Sequence, residues 1–173
     1  MALFYPTLYR RRITDVTVED LHRLGVKGVL LDVDNTLTTH DNPNLDPAAT
    51  AWLTAMQAAG FTLVIISNNK PHRVAPFAEK VGLGFQANAK KPLPTGYKAA
   101  ATKLGLPAGR CVAIGDQIFT DVLGANLAGM PCILLEPIQP EVEQKFIVFK
   151  RKLERPLLNS RRQRAKKEAD YHG

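Results

Sequence analysis

Apolar residues in this chain gather in short unbroken runs. GVLLDV (28–33), FTLVII (61–66), CVAI (111–114) and CILL (132–135) are such runs, with a weaker one, GFQA, at 84–87. A strand with one face in water alternates apolar and polar positions, whereas one covered on both faces does not, so these runs predict strands buried on both sides. Between them lie helical patterns. One is expected over 17–24, opened by Thr17 with Glu19 and Asp20 in its first turn, and one over 47–59, opened by Asp46 and Pro47 and closed by Gly60. Three more are expected over 71–81, 95–104 and 120–128, closed by Gly82, Gly105 and Gly129. The punctuation has a cause: an oxygen-bearing side chain satisfies the free N–H groups of a first turn, and a glycine takes the left-handed exit. Strands alternating with helices predict an α/β protein with a doubly wound, mostly parallel sheet.

In such a sheet the loops beyond the carboxyl ends of the strands share one edge, where ligands collect. Asp32 and Asp34, then Ser67 with Asn68 and Asn69, then Gly115 and Asp116 all follow predicted strands. Extended backbone turns the Asp32 and Asp34 carboxylates the same way. Like charges so placed repel and resist desolvation unless a cation sits between them. By itself the pair reads equally well as a strand end turning into solvent. IISNN (65–69), AKKPLP (89–94) and IGDQIFTD (114–121) tip the balance, because each supplies what a phosphoryl-transfer site needs. Mg²⁺ bound through hard oxygens such as those of Asp32 and Asp116 screens an attacking carboxylate from an anionic substrate. Asp34 is suited to give a proton to the leaving alkoxide and later to take one from water. The Ser67 hydroxyl and neighbouring N–H groups suit phosphoryl oxygens, with Asn68 as a further candidate, and Lys91 adds a fixed positive charge. Lys90 is the adjacent alternative.

These motifs resemble those of the haloacid dehalogenase (HAD) superfamily of phosphohydrolases. DVDNTL (32–37) matches its first motif, DxDx[T/V][L/V]; Ser67 after VII matches the second, Lys91 before Pro92 the third, and GDQIFTD (115–121) the fourth. The resemblance implies a Rossmann-like fold in which Asp32 is the nucleophile that forms an aspartyl-phosphate and Asp34 is the general acid/base. It implies Mg²⁺ ligation by Asp32, the main-chain carbonyl of Asp34 and Asp116, with Asp121 supporting the metal site and Ser67 and Lys91 holding phosphate. DLHRLGVKGVLLDVDNTLTTHD, ISNN and AKKPLPTGYKAA resemble more closely the small YqeG-type branch, related to the phosphatidylglycerophosphate phosphatases, from about residue 4 to 150. That likeness implies a phosphomonoester substrate, with a phosphorylated lipid headgroup as candidate. The spacing between the motifs leaves no room for a cap domain, so an open site is expected.

At 173 residues the chain fits one domain of ordinary size. Its net charge of +7 lies wholly within residues 145–173, the rest being balanced. A hydrolase domain over 1–140 and a basic C-terminal helix and tail over 141–173 are therefore expected. In EVEQKFIVFKRKLER (141–155), Phe146, Phe149 and Leu153 recur at helical spacing among Lys145, Lys150, Lys152 and Arg155. Such a helix packs on the sheet layer, meets an anionic membrane peripherally, or does both, and in the final RRQRAKKEADYHG clustered Lys and Arg near such a membrane would contribute about 1 kcal/mol each. Nucleic acid is the disfavoured partner, since no zinc-finger spacing or RNP-type aromatic motif accompanies the charge. Cys111 and Cys132 each open an apolar run without CxxC spacing, which reads as buried reduced thiols and a cytoplasmic setting. No segment approaches the roughly 18–20 apolar residues of a membrane span. Two rival readings are a receiver-like domain that keeps its phosphate and a non-enzymatic protein that works through its tail. Asp34 argues against the first and the full motif set against the second.

Overall fold

The structure is a computed structural model and describes residues 3–38 and 44–138; the expected basic helix and tail lie outside the described residues. Among the described residues six strands form one sheet: β1 (Leu8–Arg10), β2 (Gly28–Leu31), β3 (Thr62–Ile66), β4 (Gly84–Gln86), β5 (Cys111–Gly115) and β6 (Cys132–Leu135). They run in the order β1-β6-β5-β2-β3-β4, and every neighbouring pair is parallel. Five helices alternate with them: α1 (Val18–Arg23), α2 (Pro47–Ala58), α3 (Pro71–Lys80), α4 (Pro94–Lys103) and α5 (Leu123–Ala128). This is the doubly wound α/β fold that the apolar runs predict. A single helix separates β2 from β3 and another separates β3 from β4, so the described residues contain no cap domain.

Burial explains the unbroken runs. Every residue of β2 and β5 is buried. Val29, Leu31, Ile65, Val112 and Ile114 join one cluster with Leu21, Trp52, Leu53, Val74 and Phe77 from α1, α2 and α3. The alternate positions Leu30, Val64 and Ala113 are buried as well, and α4 packs against β2 and β3. With helices on both faces, neither set of side chains reaches water. Trp52 is anchored within this core by a 2.7 Å hydrogen bond from its indole N–H to the Val16 carbonyl. The thiols of Cys111 and Cys132 are fully buried, as their place in apolar runs suggests. Burial pushes Cys111 up to about 11 and Cys132 well above the ordinary thiol value.

Only β1 is unforeseen in the sequence. Three residues ahead of a charged run carry no strand pattern, and the strand forms because β6 offers an edge. The Thr7 N–H donates to the Cys132 carbonyl at 2.7 Å, the Cys132 N–H returns to Thr7 Oγ1 at 3.1 Å, and the Tyr9 hydroxyl donates to Glu136 at 2.7 Å. Arg10, the last residue of β1, reaches Asp20 on α1 through Nη2 at 2.5 Å and Nε at 3.1 Å. Asp20 also closes a capping box with Thr17.

Burial alone would raise the Asp20 carboxyl, but Arg10 and the Thr17 N–H overcome it and hold the group below its ordinary value. Asp20→Asn should therefore cost about 2 kcal/mol of stability at neutral pH. Because the folded-state value is lowered, this stabilisation is present above the unfolded pKa and is lost as pH falls through the folded one. Urea unfolding of both proteins at pH 7 and in acid should show the gap between them closing in acid. A gap independent of pH would show that the Asp20 charge is not what stabilises the contact.

Candidate active site

β2 and β5 lie side by side at the centre of the sheet, at the point where the chain switches from building one wing to building the other. Asp32 directly follows β2, and its N–H donates to the Ile114 carbonyl of β5 at 3.0 Å. Asp116 directly follows β5. A third carboxylate comes from Asp121, which lies on a single π-helical turn over Ile118–Val122. Carboxylate oxygens of Asp32, Asp116 and Asp121 all lie within 4.8 Å of one another, and all three residues are buried.

The π turn is built to deliver Asp121. The N–H groups of Asp121 and Val122 both donate to the Gln117 carbonyl, at 2.8 and 3.2 Å, and the Gln117 N–H donates back to Asp121 Oδ2 at 3.1 Å. Wide turns of this kind re-aim a side chain within a helix, here where α5 begins. Gly115 leaves the space: a Cβ there would stand 2.3 Å from Asp121 Cγ. From below, the fully buried Tyr97 of α4 donates its hydroxyl to the Thr120 carbonyl at 2.9 Å. Tyr97→Phe should leave that carbonyl unsatisfied and lower the unfolding free energy by about 1–2 kcal/mol, read by urea denaturation. No change in stability would mean that another donor replaces the hydroxyl.

Lys91 reaches the carboxylates from the loop between β4 and α4. Its Nζ stands 2.5 Å from Asp32 Oδ1 and 2.7 Å from Asp121 Oδ1, and its side chain is 5% exposed. Lys90 faces solvent from a left-handed backbone (φ 53°), so the structure brings Lys91 and not its neighbour to the carboxylates. Two contacts hold the loop. The Asn68 carboxamide accepts from the Lys91 N–H at 2.6 Å and donates to the Lys91 carbonyl at 3.2 Å. Gly96 of α4 lies so close beneath that a Cβ would stand 2.1 Å from the Ala89 carbonyl oxygen. Asn68 thus grips the Lys91 backbone in this structure, and its residue is exposed.

Ser67 follows β3 and is buried, with its Oγ accepting the Asn69 N–H at 3.1 Å. The Asn69 carboxamide donates to Asp34 Oδ2 at 3.1 Å. Asp34 is half-buried, outside the group of three clustered carboxylates. The strand-end position of Asn69 was visible in the sequence, but its contact with Asp34 was not, because the contact depends on how two separate loops close.

Electrostatics at the centre are unbalanced. Burial, with the charges of Asp121 and Asp34, pushes the Asp32 carboxyl up to about 7 in spite of Lys91. Burial works against the Lys91 ammonium, but Asp121 and Asp32 outweigh it and hold Lys91 well above its ordinary value. Three carboxylates against one ammonium leave a net charge of −2 on full ionisation. A divalent cation with a preference for hard oxygen ligands fits that charge and that donor set.

A family model described as haloacid dehalogenase-like hydrolase matches residues 39–129. The chain is also 37% identical over 158 residues to the protein named "Probable phosphatase YqeG" from Bacillus subtilis (strain 168), with 91% of each chain covered. The chain belongs to the haloacid dehalogenase-like hydrolase family. The first-motif carboxylates lie just upstream of the matched residues, and the hydrogen bonds above join them to the rest. This hydrolase is 27% identical over 165 residues to a phosphatidylglycerophosphate phosphatase 1, chloroplastic, of Chlamydomonas reinhardtii, spanning 88% of this chain and 60% of that protein. Its fold is similar to that of the cobalt-bound deoxy-D-mannose-octulosonate 8-phosphate phosphatase (YrbI) of Haemophilus influenzae. The TM-score is 0.52 at 16% identity, over 65% of this chain and 69% of that one. Among the described residues no helix is long and apolar enough to cross a membrane.

Proposed function

We propose that this hydrolase cleaves phosphomonoesters through an aspartyl-phosphate on Asp32. The reading rests on Asp32 at the end of the central strand, ringed by Asp116, Asp121 and the Lys91 ammonium. An Asp32 carboxylate oxygen attacks phosphorus, the ester P–O bond breaks, and the leaving alkoxide takes a proton from Asp34. Asp34 then takes a proton from water, whose oxygen attacks the phosphoryl group; the acyl-phosphate P–O bond breaks, releasing inorganic phosphate and the Asp32 carboxylate. Asn69 steadies Asp34 for both transfers through its 3.1 Å hydrogen bond. Ser67 and Lys91 bind phosphoryl oxygens, and Asn68 supports them by fixing the Lys91 backbone.

Asp32, Asp116 and the Asp34 main-chain carbonyl, with Asp121 in support, would hold Mg²⁺, which would screen the nucleophile from an anionic substrate. The crowding of three buried carboxylates around a single ammonium supports this, because the excess negative charge calls for a further cation.

The candidate substrate is phosphatidylglycerophosphate, supported by the named relatives and by the lack of a cap domain among the described residues, which suits a headgroup still in a bilayer. Phosphate release with Mg²⁺ from this lipid in vesicles, against a panel of soluble sugar and nucleotide monophosphates, tests the assignment. Preference for the lipid is the expected result. Preference for a soluble ester would keep the chemistry and discard the lipid.

A further inference from the structure

On the same edge of the sheet as the carboxylates is a cleft of about 270 Å³ that the chemistry above leaves unused. Its walls are the chain leaving β1 (Arg11, Arg12), the chain leaving β6 (Glu136 to Ile138) and the turn after β2 (Thr36, Leu37). Hydrogen bonds stitch these walls together: the Glu136 N–H donates to the Arg11 carbonyl at 3.2 Å and the Ile138 N–H to the Asn35 carbonyl at 3.1 Å. The turn is closed by the Asn35 N–H on the Thr38 carbonyl at 2.7 Å. Asp34 and Thr36 therefore project from one tight turn, the first toward Asn69 and the second into the wall of the cleft.

Two observations give the cleft a ligand preference. Thr36 is 2% exposed, and its hydroxyl has no hydrogen-bond partner among the described residues. A buried hydroxyl on a cleft wall is a polar group waiting for a ligand or water. The charged groups, in turn, are engaged with one exception. Glu136 accepts from Tyr9 at 2.7 Å and stands 3.8 Å from Arg11, and Asp46 caps α2 by accepting from the Ala48 N–H at 2.8 Å. Arg12 makes no side-chain ion pair among the described residues. Its backbone is pinned on both sides by Asp15, with the Arg12 N–H on Asp15 Oδ2 at 3.0 Å and the Asp15 N–H on the Arg12 carbonyl at 3.1 Å, so the guanidinium extends from a fixed point.

We propose that this cleft is the leaving-group subsite, and that Arg12 together with the Thr36 hydroxyl recognises a second phosphate carried by the alcohol that departs. The inference rests on the phosphatase reading, because it is Asp34 that would protonate the departing alkoxide, and Asp34 shares its turn with the cleft. The second phosphate is either a phosphodiester, as in a lipid headgroup, or a second monoester on a small soluble diol. A planar guanidinium binds either through paired charge-assisted hydrogen bonds.

The test compares wild type with Arg12→Gln on three substrates: phosphatidylglycerophosphate in vesicles of zwitterionic lipid, propane-1,3-diol bisphosphate, and p-nitrophenyl phosphate, which carries no second anion. In Arg12→Gln, kcat/KM should fall about 10- to 100-fold, chiefly through KM, on whichever second-phosphate substrate is native, with p-nitrophenyl phosphate unchanged. Which of the two falls identifies the source, and Arg12→Lys should recover part of the loss. Equal effects on all three substrates, or none on any, would overturn the subsite.

A wild type that cleaves none of them would sink the phosphatase reading but leave the cleft open to a binding test. Calorimetric titration of Asp32→Asn protein with the bisphosphate and with propyl phosphate should show tighter binding of the former, lost in Asp32→Asn/Arg12→Gln. Equal binding of the two ligands would overturn the subsite independently.

Discussion

Asp32→Asn is expected to lower Mg²⁺-dependent phosphate release about 10⁴-fold or more while leaving the fold intact. The amide is nearly the same size and shape as the carboxylate but cannot form the acyl-phosphate, so the loss is of the nucleophile itself and not of binding. The fold should tolerate the change because the native carboxylate is a strained occupant: burial and its acidic neighbours already push it to about 7. Replacing it removes a desolvated charge and leaves Lys91 its 2.7 Å partner Asp121. Stability should stay within about 1 kcal/mol of wild type, and substrate should still bind. Phosphate release and urea unfolding on the same preparation check both halves. Substantial activity in a folded variant would mean that another group attacks phosphorus.

Lys91→Ala should fail differently, losing both turnover and stability. Its ammonium is the positive charge that holds Asp32 and Asp121 together at a buried place, and without it the three clustered carboxylates face one another with no counter-charge. Breaking a buried ion pair from one side costs about 3–5 kcal/mol, and removing a charge that stabilises the transferring phosphoryl group costs about 10²–10³ in kcat. Added Mg²⁺ should restore part of the stability and little of the activity, because a divalent ion can balance the carboxylates without standing where Lys91 is proposed to meet the phosphoryl oxygens. Thermal unfolding with and without Mg²⁺ separates the two. If Mg²⁺ raised the variant's melting temperature no more than the wild type's, the carboxylate cluster would not be the metal site.

The runs that predict β2, β3, β5 and β6 are legible because burial on both faces leaves a mark nearly every residue shares. By contrast β4, at the far edge of the sheet, is exposed at Gly84 and only partly buried at Phe85 and Gln86, so the expectation of burial on both sides fails for its weaker run. β1 has no such mark: Leu8, Tyr9 and Arg10 are each only partly buried, and the strand exists because β6 has an unpaired edge. The helix expected over 120–128 is a π turn followed by α5, a distinction in hydrogen-bond register that residue identity does not encode. At the candidate site, Asp32 and Asp116 stand out in the sequence because each directly follows an apolar run, whereas Asp121 and Lys91 stand out only through the resemblance of GDQIFTD and AKKPLP to known motifs, since neither is at a strand end. The grip of Asn68 on the Lys91 backbone and the bond from Asn69 to Asp34 could not be read there, since both depend on loops distant in sequence. The cleft at Arg12 was hidden for a similar reason, being assembled from the exits of the first, second and last strands.

The two buried thiols have a use of their own. Cys111 and Cys132 are inaccessible and hard to ionise, so a thiol reagent reaches them only when the middle of the sheet comes apart. Labelling rates under native conditions then act as a clock for that opening. β5 and the residues just after it also carry Asp116 and Asp121, so whatever grips those carboxylates should slow the clock. Occupancy of the site could thus be read in a molecule that turns nothing over, including the Asp32→Asn variant.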